Sequence, residues 1–242
     1  ETEWYKQCLN SSSSTAPISL QESRLQSFEK GGYFLIRETD SLSFIKCGSY
    51  RDRPSHADNL HLDIWWKGEN LLRDAGSFKY NTTAELISFF NGTRGHNTVG
   101  LGEYDQMKKG PRFIWLNWSK ALEYWLKEEE NDYLFYGRIK AFEEVGNGVL
   151  HERWVRKRKN KPVWIITDQF SDNYGLPMQQ YWHPDPNARY TIHLSAKDAG
   201  GNQLQARKER GYYSGYYGLK TEAPVLVFET LTKTIKTEIT IE

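Results

Sequence analysis

Cysteine is scarce in this chain: Cys8 and Cys47 are the whole supply. Two thiols allow one bridge at most, which excludes a disulfide scaffold. Long apolar runs are absent too. Nothing approaches the ~20 residues of a membrane-spanning helix. Excess charge of either sign is also missing, since the formal net charge is +1. No global field steers a polyanion, so attraction for an acidic partner has to be local. No linker rich in proline, glycine or serine forces a split into domains; the nearest candidate is the serine run at residues 11–15. No repeat of fixed period is evident, and no signal peptide is read. The first residue is Glu1 rather than Met, which fits a processed chain or an excised domain.

Aromatic residues, by contrast, are plentiful. Phe, Trp and Tyr reach 14% of the chain, enough to build a large β core from few residues. Their ring faces also suit the C–H faces of sugars. Strand-like runs recur at 33–37, 42–47, 133–142, 149–158, 163–168, 178–183, 190–195, 225–231 and 234–241. Turn chemistry separates them, as in Gly146-Asn147-Gly148 and Pro184-Asp185-Pro186. Residues 111–118 alternate in strand style. Residues 84–90 read as a short helical turn, 18–32 as a short helix or a loop, and 119–131 as a helix or a loop. Many strands without interposed helices predict an all-β, many-stranded antiparallel β-sandwich. Residues 1–30 form a lead-in segment and residues 31–242 the sandwich domain. The basic run from Arg153 to Lys161 reads as a strand end and hairpin turn with solvated charges. No nucleic-acid fold signature accompanies it, so nucleic acid is not an expected partner.

Residues 54–98 carry the chemistry. His56, Asp74 and His96 are metal-ligand types: two imidazoles and a carboxylate suit zinc. Leu60, Leu62, Ile64 and Trp66 alternate with His61, Asp63 and Trp65, and residues 67–70 make the turn of a hairpin. A hairpin brings its ends together, so His56 and Asp74 become neighbours. His96 has to arrive on a third strand. Asp58 and Asp63 either hold an imidazole in orientation or are solvated turn carboxylates.

Three phrases of this stretch go further: Ser55-His56-Ala57-Asp58, then Trp66-Lys67-Gly68 through Arg73-Asp74-Ala75-Gly76, then Gly95-His96-Asn97-Thr98-Val99. In this order and spacing they resemble the C-terminal β-domain of the heparinase II/III-like family, which includes polysaccharide lyases. The resemblance extends more loosely over nearly the whole chain. It implies a zinc ion at His56, Asp74 and His96 in a structural role. It implies an acidic polysaccharide as partner, and a helical toroid domain that family members carry before this part. It also implies a periplasmic or extracellular setting.

Lyase chemistry is β-elimination at a uronate, which needs donors that offset the carboxylate charge. Candidates beside the hairpin are Arg51, Arg53 and Arg94 for substrate anions, and His61 and Tyr80 for proton transfer. One departure counts against activity. Lyases of the family often carry a catalytic histidine two residues before the metal histidine, and here that residue is Pro54. The expected function is therefore the C-terminal domain of a polysaccharide lyase-like protein. The alternative is a non-catalytic carbohydrate-binding or assembly module in polysaccharide synthesis or export. The aromatic cluster at 212–217 reads as a bulged or edge strand, with sugar stacking as the other reading.

Overall fold

The computed structural model describes residues 24–242. Cys8, Leu20 and the serine run lie outside the described residues. Described strands pair antiparallel throughout, in three principal sheets and one short ribbon.

The first sheet is a meander of β1 (Leu25–Phe28), β2 (Tyr33–Arg37), β3 (Ser41–Lys46), β4 (Leu62–Trp66) and β5 (Glu69–Leu72). β1 falls inside the lead-in segment, where the sequence suggested a helix or a loop. It instead pairs with β2 along its whole length. The hairpin between β4 and β5 turns on Lys67 and Gly68 alone, both at positive φ (46° and 85°). Glu69 and Asn70 already belong to the return strand. Two residues at positive φ make the turn whose twist matches the flanking strands.

After β5 come helix α1 (Ala84–Asn91), capped by the Thr83 side chain, and a 3-10 turn at Thr93–Gly95. β6 (Val99–Leu101), β7 (Lys108–Lys109) and β8 (Trp115–Leu116) are short. The strand expected over 111–118 shrinks to β8, because Arg112 and Asn117 adopt positive φ and break the extended backbone on both sides.

The segment expected to be helix or loop at 119–131 is strand β9 (Lys120–Glu128). It pairs with β10 (Asp132–Ala141), but Leu122 is skipped between Glu123↔Arg138 and Ala121↔Ile139. That bulge shifts the alternation, so the core-facing Ala121, Tyr124 and Leu126 stand at mixed spacings that imitate a helix. The seven-stranded sheet continues through β11 (Val149–Arg158), β12 (Val163–Phe170), β18 (Thr234–Ile241), β14 (Ile192–Asp198) and β15 (Gln203–Leu204). The four-stranded sheet holds β16 (Arg207–Tyr216), β17 (Leu219–Thr230), β13 (Met178–Trp182) and β6. β16 is its edge strand, with an irregularity between Tyr213 and Tyr216, as the glycine inside the aromatic cluster predicts.

One core joins the three sheets. Phe34 of the first sheet meets Phe135 and Tyr124 of the second at 5.1 Å between ring centroids. Trp164 donates its indole N–H to the Ser43 hydroxyl across the same interface (2.8 Å). Trp182, Phe228 and Met178 close it from the third sheet.

The basic run departs from the expectation of solvated charges. β11 alternates strictly, and its inward residues are Val149, His151, Arg153, Val155 and Lys157. Arg153 and Lys157 are fully buried. The Lys157 ammonium donates to Glu38 (2.5 Å) and to the backbone oxygens of Arg158 and Lys161. Arg153 donates from Nε and Nη2 to both oxygens of Asp168 (2.7 and 2.8 Å). The outward Arg156 and Arg158, half-exposed beside Asp132, and the exposed Lys161 meet the expectation.

Buried histidines give the fold a pH dependence. Burial pushes His183 down to about 3, with the His96 charge adding to it. Burial also pushes His151 below the ordinary imidazole value, although Asp168 pulls it upward. In the folded chain both favour the neutral form, whereas the unfolded chain protonates near pH ~6.5. Stability is therefore unaffected by them above that pH and falls as the pH drops below it, by up to ~1.4 kcal/mol per unit for each histidine. Chemical denaturation between pH ~7 and ~4.5 checks the sign; a flat profile contradicts it.

Candidate functional site

The site forms where the loop after β3, the loop after β5 and the 3-10 turn converge. Local hydrogen bonds fix each piece. The Ala57 N–H donates to the Asn91 oxygen at the end of α1 (2.8 Å), and the Trp115 indole donates to the Ser55 oxygen (3.0 Å). Asn59 is buried and spans the loop: its amide donates to Gly48 O and Ser119 Oγ and accepts from the Gly48 N–H. These bonds set the position of His56.

Asp74 opens a tight turn in which its Oδ1 accepts the Gly76 N–H (2.6 Å). Gly76 has φ 88°, and a Cβ there would lie 2.1 Å from the Ser214 carbonyl oxygen. The same contact lets Ser214 donate its N–H to the Ala75 oxygen (2.8 Å) and joins this loop to β16. Gly76→Ala is expected to cost more than ~1 kcal/mol, because strain and clash coincide. Limited proteolysis should then cut faster at the β16–β17 turn; an unchanged pattern contradicts the docking.

His96 follows the 3-10 turn rather than lying on a strand. Its Nδ1 is 2.6 Å from Asp74 Oδ2, and its ring is fully buried. Burial alone would raise the Asp74 carboxyl and lower His96. The mutual charge and hydrogen bond outweigh burial, holding Asp74 well below the carboxylate range and His96 above its ordinary value. His96 Nε2 is buried and has no hydrogen-bond partner. The His56 ring stands 5.2 Å away, centroid to centroid. Burial and the His96 charge push His56 down to about 4, which leaves it neutral with a free lone pair.

Donor atoms cluster in two overlapping sets, each within 4.8 Å: His56, Asp58 and His96, and His61, Asp74 and His96. His96 is common to both. Asp58 is held by Lys46 (2.6 Å) and the Tyr50 hydroxyl (3.1 Å) rather than by solvent. Asp63 accepts from His61 Nε2 (2.9 Å), so it does orient an imidazole. His61 also accepts the Asn97 N–H at Nδ1 (3.0 Å) and is buried with both nitrogens engaged.

The remaining candidates separate. Arg53, His56 and Tyr80 line one cavity of about 470 Å³, together with Pro54, Ser55, Lys79, Asn81 and Phe113. Arg94 lies in a neighbouring cavity and is ion-paired with Glu209 of β16. Arg51 is exposed on the loop before Arg53. His61 sits in the interior, away from that cavity. Sequence reasoning overlooked Lys79 and Phe113. It also overlooked Asn97, whose amide donates to Leu62 O (2.9 Å) and Arg73 O (3.3 Å) while its Oδ1 accepts the His183 N–H (2.7 Å). The signal for Asn97 was its place inside the Gly95–Val99 phrase.

A three-sheet antiparallel sandwich with buried imidazole and carboxylate donors on converging loops defines the class of protein. A family model described as "Heparinase II/III-like, C-terminal" matches residues 21–239, and the chain belongs to that family. Solved structures of similar fold include the heparinase III BT4657 gene product, with 19% identity over 93% of this chain and TM-score 0.74. Heparan sulfate lyase HepC from Pedobacter heparinus is similar at 17% identity over 91% of this chain, with TM-score 0.70. The chain spans 37% and 36% of those two proteins, about a third of each. A search of curated proteins returned no match. No helix among the described residues is long and apolar enough to cross a membrane.

Proposed function

We propose that this chain is the C-terminal part of a polysaccharide lyase-like protein, forming a metal-stabilised wall of a cleft for acidic, uronate-containing glycans. One observation carries the reading. The cavity beside His56 is lined by Arg53 and Lys79 and by no carboxylate. Neither cation has an ion-pair partner among the described residues. In a chain of net charge +1, this is a local surplus of the sign that an acidic sugar requires.

His56, Asp74 and His96 supply the donor types for a divalent cation such as zinc, with His56 and Asp74 in different clusters that share His96. The buried His96 Nε2 without a partner, the neutral His56 and the ionised Asp74 are the donors it needs. Bound there, the ion supplies positive charge that pins three loops together. Asp58 and Asp63 keep the surrounding side chains in place.

In β-elimination a base takes the C5 proton of a uronate, the electron pair forms the C4–C5 double bond, and the C4 oxygen leaves with its sugar. Arg53 and Lys79 offset the uronate carboxylate charge, which makes the C5 proton more acidic. Tyr80 is exposed in the same cavity and is the proton-transfer candidate on this wall. Pro54, also in the lining, offers no ionisable group, and this favours the second reading of a non-catalytic glycan-binding or assembly module.

The test is to incubate the full chain with heparan sulfate, heparin and alginate. Ultraviolet absorbance follows the unsaturated uronate, and calorimetry follows binding in parallel. Elimination supports the lyase reading. Binding without elimination establishes the second reading. Neither signal with any of the three glycans overturns both.

A further inference from the structure

Beyond the cationic cavity the surface turns aromatic. Tyr80, Phe113 and Tyr217 form a chain of exposed rings. Phe113 and Tyr80 are 5.7 Å apart, edge to face, and Tyr80 and Tyr217 are 5.7 Å apart. Tyr217 is 67% exposed and its neighbour Tyr216 is 78% exposed, both at the tip of the β16–β17 hairpin. The surrounding backbone holds this hairpin firmly. The Gly218 N–H donates to Phe78 O (2.7 Å), Ser214 Oγ accepts the Phe78 N–H (3.1 Å), and the Tyr217 hydroxyl accepts the Tyr80 N–H (3.4 Å). Two rings of the row, Tyr80 and Phe113, line the cavity itself, and Arg53 lies over the Phe113 ring at 5.8 Å. The cation site and the aromatic row are therefore continuous.

Large aromatic rings left in water on a fixed hairpin lose nothing to ordering when a ligand covers them. The only charge at the adjoining cavity is positive, so a free apolar peptide is a poor match and an anionic ligand with an apolar face is a good one. A pyranose whose hydroxyls are equatorial has such a face, made of its axial C–H bonds. Resting on the reading above, we infer that Tyr217, with Tyr80 and Phe113, forms a stacking subsite for the sugar ring next to the one whose anion meets Arg53 and Lys79. The smallest ligand recognised is then a disaccharide unit: an anionic ring in the cavity and a ring with a clean C–H face on the tyrosines.

Salt separates the two contributions. Ionic contacts to a linear polyanion release counterions and steepen the salt dependence, while stacking does not. The probe is a heparan sulfate tetrasaccharide, titrated calorimetrically at several salt concentrations into the full chain and its variants. Tyr217→Ala is expected to weaken binding about tenfold with the salt slope unchanged. Arg53→Gln is expected to weaken binding and flatten the slope. Tyr217→Phe, which keeps the ring and removes the hydroxyl anchor, should retain wild-type affinity within about threefold. The subsite is overturned if Tyr217→Ala binds like wild type, or if Tyr217→Phe loses as much as Tyr217→Ala. Loss in Arg53→Gln alone leaves the acidic-glycan reading standing and removes the subsite. Failure of the wild-type chain to bind this tetrasaccharide removes the subsite, while the acidic-glycan reading falls only if heparin and alginate fail as well.

Discussion

Replacing Arg153 with methionine is expected to lower the stability of the domain by ~3–5 kcal/mol. Arg153 is fully buried, and each of its three side-chain nitrogens has a defined partner. Nε and Nη2 hold Asp168, while Nη1 donates to the carbonyl oxygens of Leu60 (2.5 Å) and Asn97 (2.6 Å). Those carbonyls belong to the residues immediately before His61 and after His96. The guanidinium thus ties the seven-stranded sheet to the loop after β3 and to the segment after the 3-10 turn, two of the three pieces of the site. Asp168 also accepts from His151 Nε2 (2.8 Å) and Gln180 (2.7 Å), and Gln180 accepts from Trp182 and Thr237.

Burial would raise the Asp168 carboxyl, yet the Arg153 charge and the bonds from His151 and Arg153 hold it well below the carboxylate range. Methionine removes the charge and leaves Asp168 and two carbonyls without their donor. Arg156→Met, three residues along the same strand but half-exposed on the outer face, is expected to cost less than ~1 kcal/mol. Thermal melts should separate the pair by roughly 4–20 °C, taking about 2–4 °C per kcal/mol for a chain of this size. The double variant Arg153→Met with Asp168→Leu should recover part of the loss, because no buried charge then stands alone. Equal melting temperatures for the two arginine variants refute the account.

The second large effect concerns the proposed ion. Protein purified without chelator or metal-affinity resin is expected to carry near-stoichiometric zinc by mass spectrometry. His56→Ala and His96→Ala should each abolish it, since neither leaves enough donors for a closed site. Asp58→Asn should keep the ion but weaken its affinity ~10–100-fold, because it removes a negative charge whose oxygen lies within 4.8 Å of the His56 and His96 donors. Circular dichroism shows whether each variant keeps its sheets. A folded wild-type chain without metal, or full metal content in His96→Ala, rules out His56, Asp74 and His96 as the site.

Much of the architecture was legible. β2, β11 and β18 have the bounds that alternation alone gave, because each is a regular strand with one face in the core. The helical turn read at 84–90 is the helix Ala84–Asn91, whose first turn the Thr83 side chain caps. β9 was not legible, because one bulged residue, Leu122, shifts its alternation and pairing with β10 alone restores the register. The site was partly legible. The three phrases pointed to His56, Asp74 and His96; the structure brings His96 against each of the other two, but His56 and Asp74 fall in separate donor clusters. It could not be read that Arg53 would face the same cavity as His56 while Arg94 turned away to Glu209. That choice depends on how the 3-10 turn meets β16, a contact between residues more than a hundred positions apart.

The basic run shows the same division most sharply. Composition places four arginines and lysines within Arg153–Arg158, and period-2 geometry sends alternate ones to opposite faces. The sequence by itself determined that alternation, the antiparallel all-β class and the residue types of the candidate centre, because these follow from local backbone preference and donor chemistry. Tertiary structure alone decided which face of β11 became the interior, and with it that Arg153 and Lys157 would be buried. Only packing could supply Asp168 and Glu38 as their partners, and without a partner a buried cation is too costly to keep.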